Sequence, residues 1–177
     1  MAARSASIVP TCRTRPDNCQ RHEVHVSPMR MLEITDARGA IIARPWLERA
    51  EAVHRQLRTA LPADYAAKML RVFAGGGRMV VAVDGDVVEG LAVWRVHENT
   101  AVGVHLYVDD LVTDEQRRSC GVGHVLMQWL EQRARDLACV ALVLDSGTQR
   151  TRAHRFYFRE GLAVVCFNFS KDLPAPR

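Results

Sequence analysis

Residues 117–123 read Arg-Arg-Ser-Cys-Gly-Val-Gly, and they join a strand-like run, 101–113, to a helix-like segment that begins at Val122. In that segment apolar residues recur three and four positions apart, which predicts an amphipathic helix. Glycines at such a junction let several backbone N–H groups converge without obstruction by β-carbons. The N-terminus of the helix adds a partial positive charge. The loop therefore predicts a binding site for an anion such as a phosphate.

Three kinds of phosphate loop have to be distinguished here. A dinucleotide-binding fingerprint requires a third glycine, where this chain has Leu126. A P-loop requires Gly-Lys-Ser/Thr, which is absent. The remaining pattern is Arg-x-x-Gly-x-Gly, formed by Arg118, Gly121 and Gly123. A plain helix start with flexible glycines would give the same pattern, so the interpretation depends on neighbouring motifs.

A second motif follows further along the chain and supports a particular family. It reads Ala-His-Arg-Phe-Tyr-Phe-Arg-Glu-Gly-Leu over residues 153–162. Together the two motifs resemble the GNAT N-acetyltransferases, with their pyrophosphate loop and their A-x-x-F-Y-x-x-x-G-F signature, in which Leu162 replaces the usual Phe. The second motif, followed by F-x-F-x-K-x-L over 167–173, is similar to that of bacterial aminoalkylphosphonate acetyltransferases. The tract 106–111 is similar to one in spermidine/spermine acetyltransferases, which indicates a different substrate.

The resemblance implies an acetyl-CoA-dependent N-acetyltransferase that transfers acetyl to a primary amine of a small molecule by direct attack in a ternary complex. An aminoalkylphosphonate, a polyamine, an aminoglycoside or an amino-acid-like acceptor would fit. The alternatives are a protein lysine or N-terminus as the acceptor, or a non-catalytic acyl-CoA-binding module. A homodimer formed through the C-terminal strand is also consistent with the resemblance.

Residues for acetyl-CoA are carried over from the family pattern. Backbone groups of the strand end are expected to pair with the pantetheine arm, and the loop to hold the diphosphate. Cys120 has no His/Asp partner in view, so nucleophilic catalysis by its thiol is not expected. The implied cofactor-binding residues are Leu111, Val112, Thr113, Arg117, Arg118, Ser119, Cys120, Gly121, Val122, Gly123 and His124.

Amine deprotonation is the demanding chemical step. A lysine-like amine is almost entirely protonated at pH 7, a handicap of roughly 4–5 kcal/mol, so a nearby carboxylate is the natural proton acceptor. Strand alternation predicts that Asp109 and Asp110 face opposite sides of the sheet. We expect Asp109 to be the base and Asp110 to bind substrate or serve structure. Tyr107, where many family members carry a glutamate, is grouped with the substrate-binding residues. The resemblance implies that Tyr157 donates a proton to the departing thiolate.

The element pattern predicts a mixed α/β fold in one domain, residues 29–177, after a disordered extension, residues 1–28. The resemblance adds a twisted, mostly antiparallel sheet flanked by helices, with splayed central strands. Predicted strands are 31–35, 78–83, 87–96, 101–113, 140–145 and 162–169, and predicted helices are 46–57, 62–73, 122–137 and 150–160.

Composition limits the other functional classes. The 177 residues are 48% apolar and 25% charged, which is typical of a globular domain, and no apolar run reaches the length of a membrane helix. Five scattered cysteines indicate reduced thiols in a cytoplasmic protein, and dispersed histidines give no metal site. The net charge of +4 comes from arginines interleaved with acids, so nucleic-acid binding is not expected.

Overall fold

A computed structural model describes residues 29–174 of the chain. The prediction for residues 1–28 lies outside the described residues. Five strands and four helices follow one another, with a short 3-10 turn, Glu115–Arg117, before the third helix. The elements are β1 (Arg30–Glu33), α1 (Arg44–Leu57), α2 (Tyr65–Ala74), β2 (Arg78–Asp84), β3 (Val87–Asn99), β4 (Gly103–Thr113), α3 (Val122–Asp136), β5 (Ala141–Leu144) and α4 (Thr151–Arg159).

The strands form one sheet in the order β1-β2-β3-β4-β5. The first three pairings are antiparallel, and β4 pairs with β5 in parallel. Gly85, at φ 55°, closes the tight turn between β2 and β3, a conformation that glycine adopts without steric cost. The predicted mixed α/β fold with a mostly antiparallel sheet is therefore confirmed.

Each face of the sheet packs against its own helices. On one face, α1 and α2 bury side chains such as Leu47, Met69 and Phe73 against Val81 and Leu91. The other face carries α3, whose apolar stripe packs on alternate residues of β2, β3 and β4. The period-two alternation of the central strands therefore supplies two separate cores. No helix between residues 29 and 174 is both long enough and apolar enough to cross a membrane.

The pairing of β4 changes along its length. On the β5 side the ladder ends at Val108, opposite Leu144. On the β3 side Val93 pairs with Asp110 and Trp94 with Val108, so Asp109 is an extra, bulged residue. Residues 109–113 therefore extend beyond the β5 ladder, which agrees with the splayed strands that the resemblance implies.

The prediction of a final strand over 162–169 is wrong in the structure. After α4, residues 162–174 form no strand. The backbone N–H of Leu162 still donates to Tyr157 and closes the helix. Val165, Phe167 and Phe169 are between 80% and 92% exposed. Apolar, β-branched composition indicates a preference for extended backbone, but a strand also needs a partner with which to pair, and composition does not supply one.

Gly90, in β3, lies directly beneath α3, and we expect Gly90→Ala to destabilise the fold by about 1–3 kcal/mol through overpacking. An added β-carbon would lie 2.8 Å from Val122 Cγ1 and 2.9 Å from the Val112 carbonyl oxygen. Urea unfolding followed by circular dichroism measures the difference. Gly75→Ala is the control, because its β-carbon would meet only ordinary contacts at 3.5 Å. Equal stability of the two variants would contradict this account of the packing.

Candidate active site

Two clefts adjoin along β4. The first, the α1–α2 cleft, has a volume of about 680 Å³ and includes Asp109 and Asp110 in its wall. The second, the loop cleft, has a volume of about 720 Å³ and lies between the end of β4, the start of α3 and α4. Leu57 of α1 lines both. Consecutive residues of one strand therefore serve two different cavities.

The loop cleft takes its shape from the backbone that opens α3. Gly121, at φ 88°, occupies the N-cap position in the left-handed region, which glycine adopts without strain. Gly123 allows α4 to approach closely, because a β-carbon there would lie 3.1 Å from Phe156 Cζ. The unpaired N–H groups of the first helical turn lie in this region and attract negative charge.

Most of the residues predicted to bind the cofactor line the loop cleft. They are Leu111, Val112, Thr113, Arg118, Ser119, Gly121, Val122, Gly123 and His124, joined by Tyr157 from α4. Arg150, Arg152 and Arg159 also line it, and they were not among the predicted cofactor residues. The sequence places these arginines on a predicted helix, but which face of that helix lines a cleft depends on how the helix packs. Four arginines beside a helix N-terminus suit a polyanion such as the phosphates of CoA.

Two predicted cofactor residues are absent from the lining of the loop cleft. The Arg117 guanidinium pairs with Glu89 of β3 at 2.5 Å, and that carboxylate is only 5% exposed. The same bond raises the pKa of Arg117 above its ordinary value. Arg117 therefore fastens the loop to the sheet, because a buried carboxylate requires a partner. Cys120 is exposed, with its Sγ 3.8 Å from the Arg118 carbonyl oxygen.

The expectation that Asp109 and Asp110 face opposite sides of the sheet is wrong. Both line the α1–α2 cleft. The bulge at Asp109 explains this, because one extra residue breaks the alternation and brings the next side chain onto the same face. Neither the residue types around Asp109 nor their spacing predicts such a bulge.

The two carboxylates differ in their hydrogen bonds. Arg95 donates to Oδ2 of Asp109 from Nε at 2.8 Å and from Nη2 at 2.6 Å, and no described residue bonds to Oδ1. Both oxygens of Asp110 are engaged. Arg58 Nε lies 2.5 Å from Oδ1, and His54 Nε2 lies 3.0 Å from Oδ2. Asp109 is thus the carboxylate with an oxygen available to another proton donor.

A buried hydrogen-bond network of two side chains contacts Asp110. His54 is 1% exposed, and its Nδ1 lies 3.0 Å from the Tyr65 hydroxyl. Burial, with the nearby Glu51 and Asp110, raises the pKa of Tyr65, so its hydroxyl stays protonated. His54 Nε2 lies within hydrogen-bond distance of the Asp110 carboxylate, so the buried ring links Tyr65 to Asp110. This network was not predicted from the sequence. The position of His54 within the apolar stripe of α1 was the one feature of the sequence that pointed to it.

Tyr107 and Tyr157 have different environments. Tyr107 donates to Asp145 Oδ2 at 2.6 Å and lines neither cleft, so its predicted place among the substrate-binding residues has no support in this geometry. Tyr157 is half-buried in the loop cleft, and its hydroxyl bonds to no described residue. Burial raises the pKa of Tyr157, which keeps the phenol protonated.

Comparison with known proteins identifies a family over most of the chain. The model of the acetyltransferase (GNAT) family matches residues 43–162. An uncharacterized N-acetyltransferase of Bacillus subtilis is 33% identical over 100 residues, which is 48% of this chain and 70% of that protein. An aminoalkylphosphonate N-acetyltransferase of Salmonella typhimurium is 35% identical over 66 residues, or 37% of this chain and 43% of that protein.

Solved structures with the same fold are more distant in sequence. An aminoglycoside N-acetyltransferase in complex with CoA aligns with a TM-score of 0.69 at 15% identity, covering 82% of this chain and 95% of that one. A ribosomal-protein-alanine N-acetyltransferase from Brucella melitensis aligns with a TM-score of 0.68 at 12% identity, covering 83% of this chain and all of that one. At these identities the likeness is one of fold.

Proposed function

This chain belongs to the GNAT acetyltransferase family and uses acetyl-CoA as its acetyl donor, and we propose that its acceptor is a primary amine of a small molecule. One observation carries the proposal, namely that β4 passes from one cleft to the other just after the bulge at Asp109. Asp109 and Asp110 lie in the α1–α2 cleft, and the next three residues lie in the loop cleft. An amine in the first cleft and a thioester in the second would meet at that point.

The loop cleft is proposed to hold the donor. Its diphosphate would lie on the backbone amides around Gly121 and Gly123, with Arg118 alongside and the arginines of α4 available to the remaining phosphate. The backbone of 111–113, which extends past the end of the β5 ladder, is free to pair with the pantetheine arm. His124, whose Nδ1 lies 2.7 Å from Glu160 Oε2, lines the same cleft.

Asp109 and Tyr157 are proposed to move the protons. The amine nitrogen forms a bond to the acetyl carbon, and the carbon–sulfur bond breaks in the same ternary complex. Asp109 accepts the amine proton through its available Oδ1, directly or through one water. Tyr157 donates its phenolic proton to the departing sulfur, a role suited to a hydroxyl with a raised pKa. Asp110, held by His54 and Arg58, is proposed to shape the acceptor cleft.

The proposal is tested by incubating the purified protein with acetyl-CoA and a panel of amines, and detecting products by mass spectrometry. A thiol-release readout would be disturbed by exposed cysteines such as Cys120 and Cys166. Acetylated small amines are the expected result. Acetylation of peptides alone would indicate that the acceptor is a protein. CoA binding without any product would leave a binding module and overturn the proposed reaction.

A homodimer and a cytoplasmic location complete the proposal, and the exposed apolar C-terminal segment supports the first. We expect sedimentation equilibrium to give twice the 19.8 kDa chain mass, because pairing of this segment with a second copy would cover its apolar side chains. Phe167→Asp is expected to give monomers. Ser170→Asp, which adds the same charge without removing an apolar group, should leave the dimer intact. A monomeric unmodified protein would contradict the assembly.

A further inference from the structure

The α1–α2 cleft carries more positive than negative charge. Its lining includes four cations and two carboxylates, Asp109 and Asp110. The carboxylates are already neutralised by two of those cations, Arg95 and Arg58. The ring of His54 is engaged with Asp110. The remaining cations are Lys68 and Arg71.

Lys68 and Arg71 have no acidic partner within residues 29–174. They stand three residues apart on α2, so they share one face of the helix, and that face lines the cleft. Like charges at this spacing destabilise an isolated helix. Two such cations facing one cavity are compensated when an anion lies between them.

Apolar side chains contribute to the rest of the cleft lining. Leu61, Met69, Val72 and Val93 contribute apolar surface to the same cavity. Arg95 connects β4 to the end of α2, because its guanidinium donates to Asp109 and also to the Gly75 carbonyl oxygen. The cavity thus offers a proton acceptor, an apolar stretch and a pair of unneutralised cations.

We infer that the acceptor amine carries an anionic group, a carboxylate or a phosphonate, which Lys68 and Arg71 bind while the amine lies at Asp109. This inference rests on the proposed function and narrows its substrate class. Polyamines and aminoglycosides are disfavoured, because a second positive charge would meet the unpaired cations. The phosphates of the donor do not account for Lys68 and Arg71, because neither residue lines the loop cleft.

Four amines of similar length test the inference at saturating acetyl-CoA, namely 3-aminopropylphosphonate, 4-aminobutanoate, 1-aminobutane and 1,4-diaminobutane. We expect kcat/KM for at least one anionic amine to exceed that for 1-aminobutane by about ten-fold or more, and the diamine to be the poorest. The first two compounds distinguish phosphonate from carboxylate recognition. Added salt should raise KM for the anionic amines and leave KM for 1-aminobutane almost unchanged.

Variants of the two cations connect the preference to the site. Lys68→Met and Arg71→Met are each expected to lower the anionic-to-neutral ratio of kcat/KM by about ten-fold, mainly through KM. Arg44→Met is the control, because Arg44 is exposed, pairs with Glu48 and lines neither cleft. Lys68→Glu combined with Arg71→Glu should reverse the order and favour the diamine. If that double variant does not fold, the single variants and the salt dependence decide.

The outcomes separate the two claims. Turnover of 1-aminobutane or the diamine at rates equal to or above those of the anionic amines would overturn this inference and leave the proposed function standing. An anionic preference that Lys68→Met and Arg71→Met leave intact would also overturn it. Turnover of none of the four amines would count against the proposed function itself, and against the inference that rests on it.

Discussion

Tyr157→Phe is expected to lower kcat by about 10²–10⁴-fold while the affinity for CoA stays nearly constant. The substitution removes one hydroxyl and keeps the ring that lines the loop cleft beside Phe156. Without that proton donor the sulfur must leave as an unprotonated thiolate. Steady-state kinetics measure kcat, and isothermal titration calorimetry with CoA measures affinity.

The pH dependence and a neighbouring variant test the same role. Because burial raises the pKa of Tyr157, its phenol stays protonated through neutral and mildly alkaline pH, and kcat should fall only as pH rises past that elevated pKa. Phe158→Leu is the control, since Phe158 lies on the same helix, is exposed and lines neither cleft. A Tyr157→Phe enzyme with more than about half of the original kcat would remove this residue from the mechanism.

Asp109→Asn is expected to lower kcat/KM by about 10²–10⁴-fold, because the amide cannot accept the amine proton. Asp110→Asn is expected to act mainly on the fold. It weakens charge-assisted bonds to Arg58 and the buried His54, which should lower the free energy of unfolding by about 1–3 kcal/mol.

The two asparagine variants are controls for each other, because they change adjacent residues that line one cavity. Kinetics and urea unfolding give kcat/KM and the free energy of unfolding for each of the two variants. A large rate loss in Asp110→Asn with little change in Asp109→Asn would reverse the assignment. Rate losses of equal size would indicate that the pair acts as one unit.

Much of the molecule followed from local patterns. The loop around Gly121 and the start of α3 were predictable, because glycine placement and helical periodicity act within a few residues. The motif around Tyr157 was predicted from its resemblance to the family signature. The order of strands and helices was also predicted correctly up to α4, since period-two and period-3.6 patterns mark which faces are buried.

Contacts between residues that are distant in sequence decided the remaining features of the candidate site. The sequence shows two adjacent arginines, but only the packed loop brings Arg117 to the buried Glu89 and leaves Arg118 at the cleft. The bulge at Asp109 arises from the register between β3 and β4, and it places both carboxylates on one face. His54 meets Asp110 across 56 positions of chain. Such pairings depend on which surfaces meet, and no local propensity encodes that.

The C-terminal segment shows the same division. Its composition determines a preference for extended backbone, and the helix before it ends at Arg159, one residue before the predicted end. Pairing is a different matter, because a strand is stabilised by hydrogen bonds to a neighbour that the segment does not itself contain. Local sequence thus determined the elements and the glycine-containing loop before α3. Tertiary structure alone decided the surroundings of Asp109, the cations that line the same cleft and whether the last segment joins the sheet.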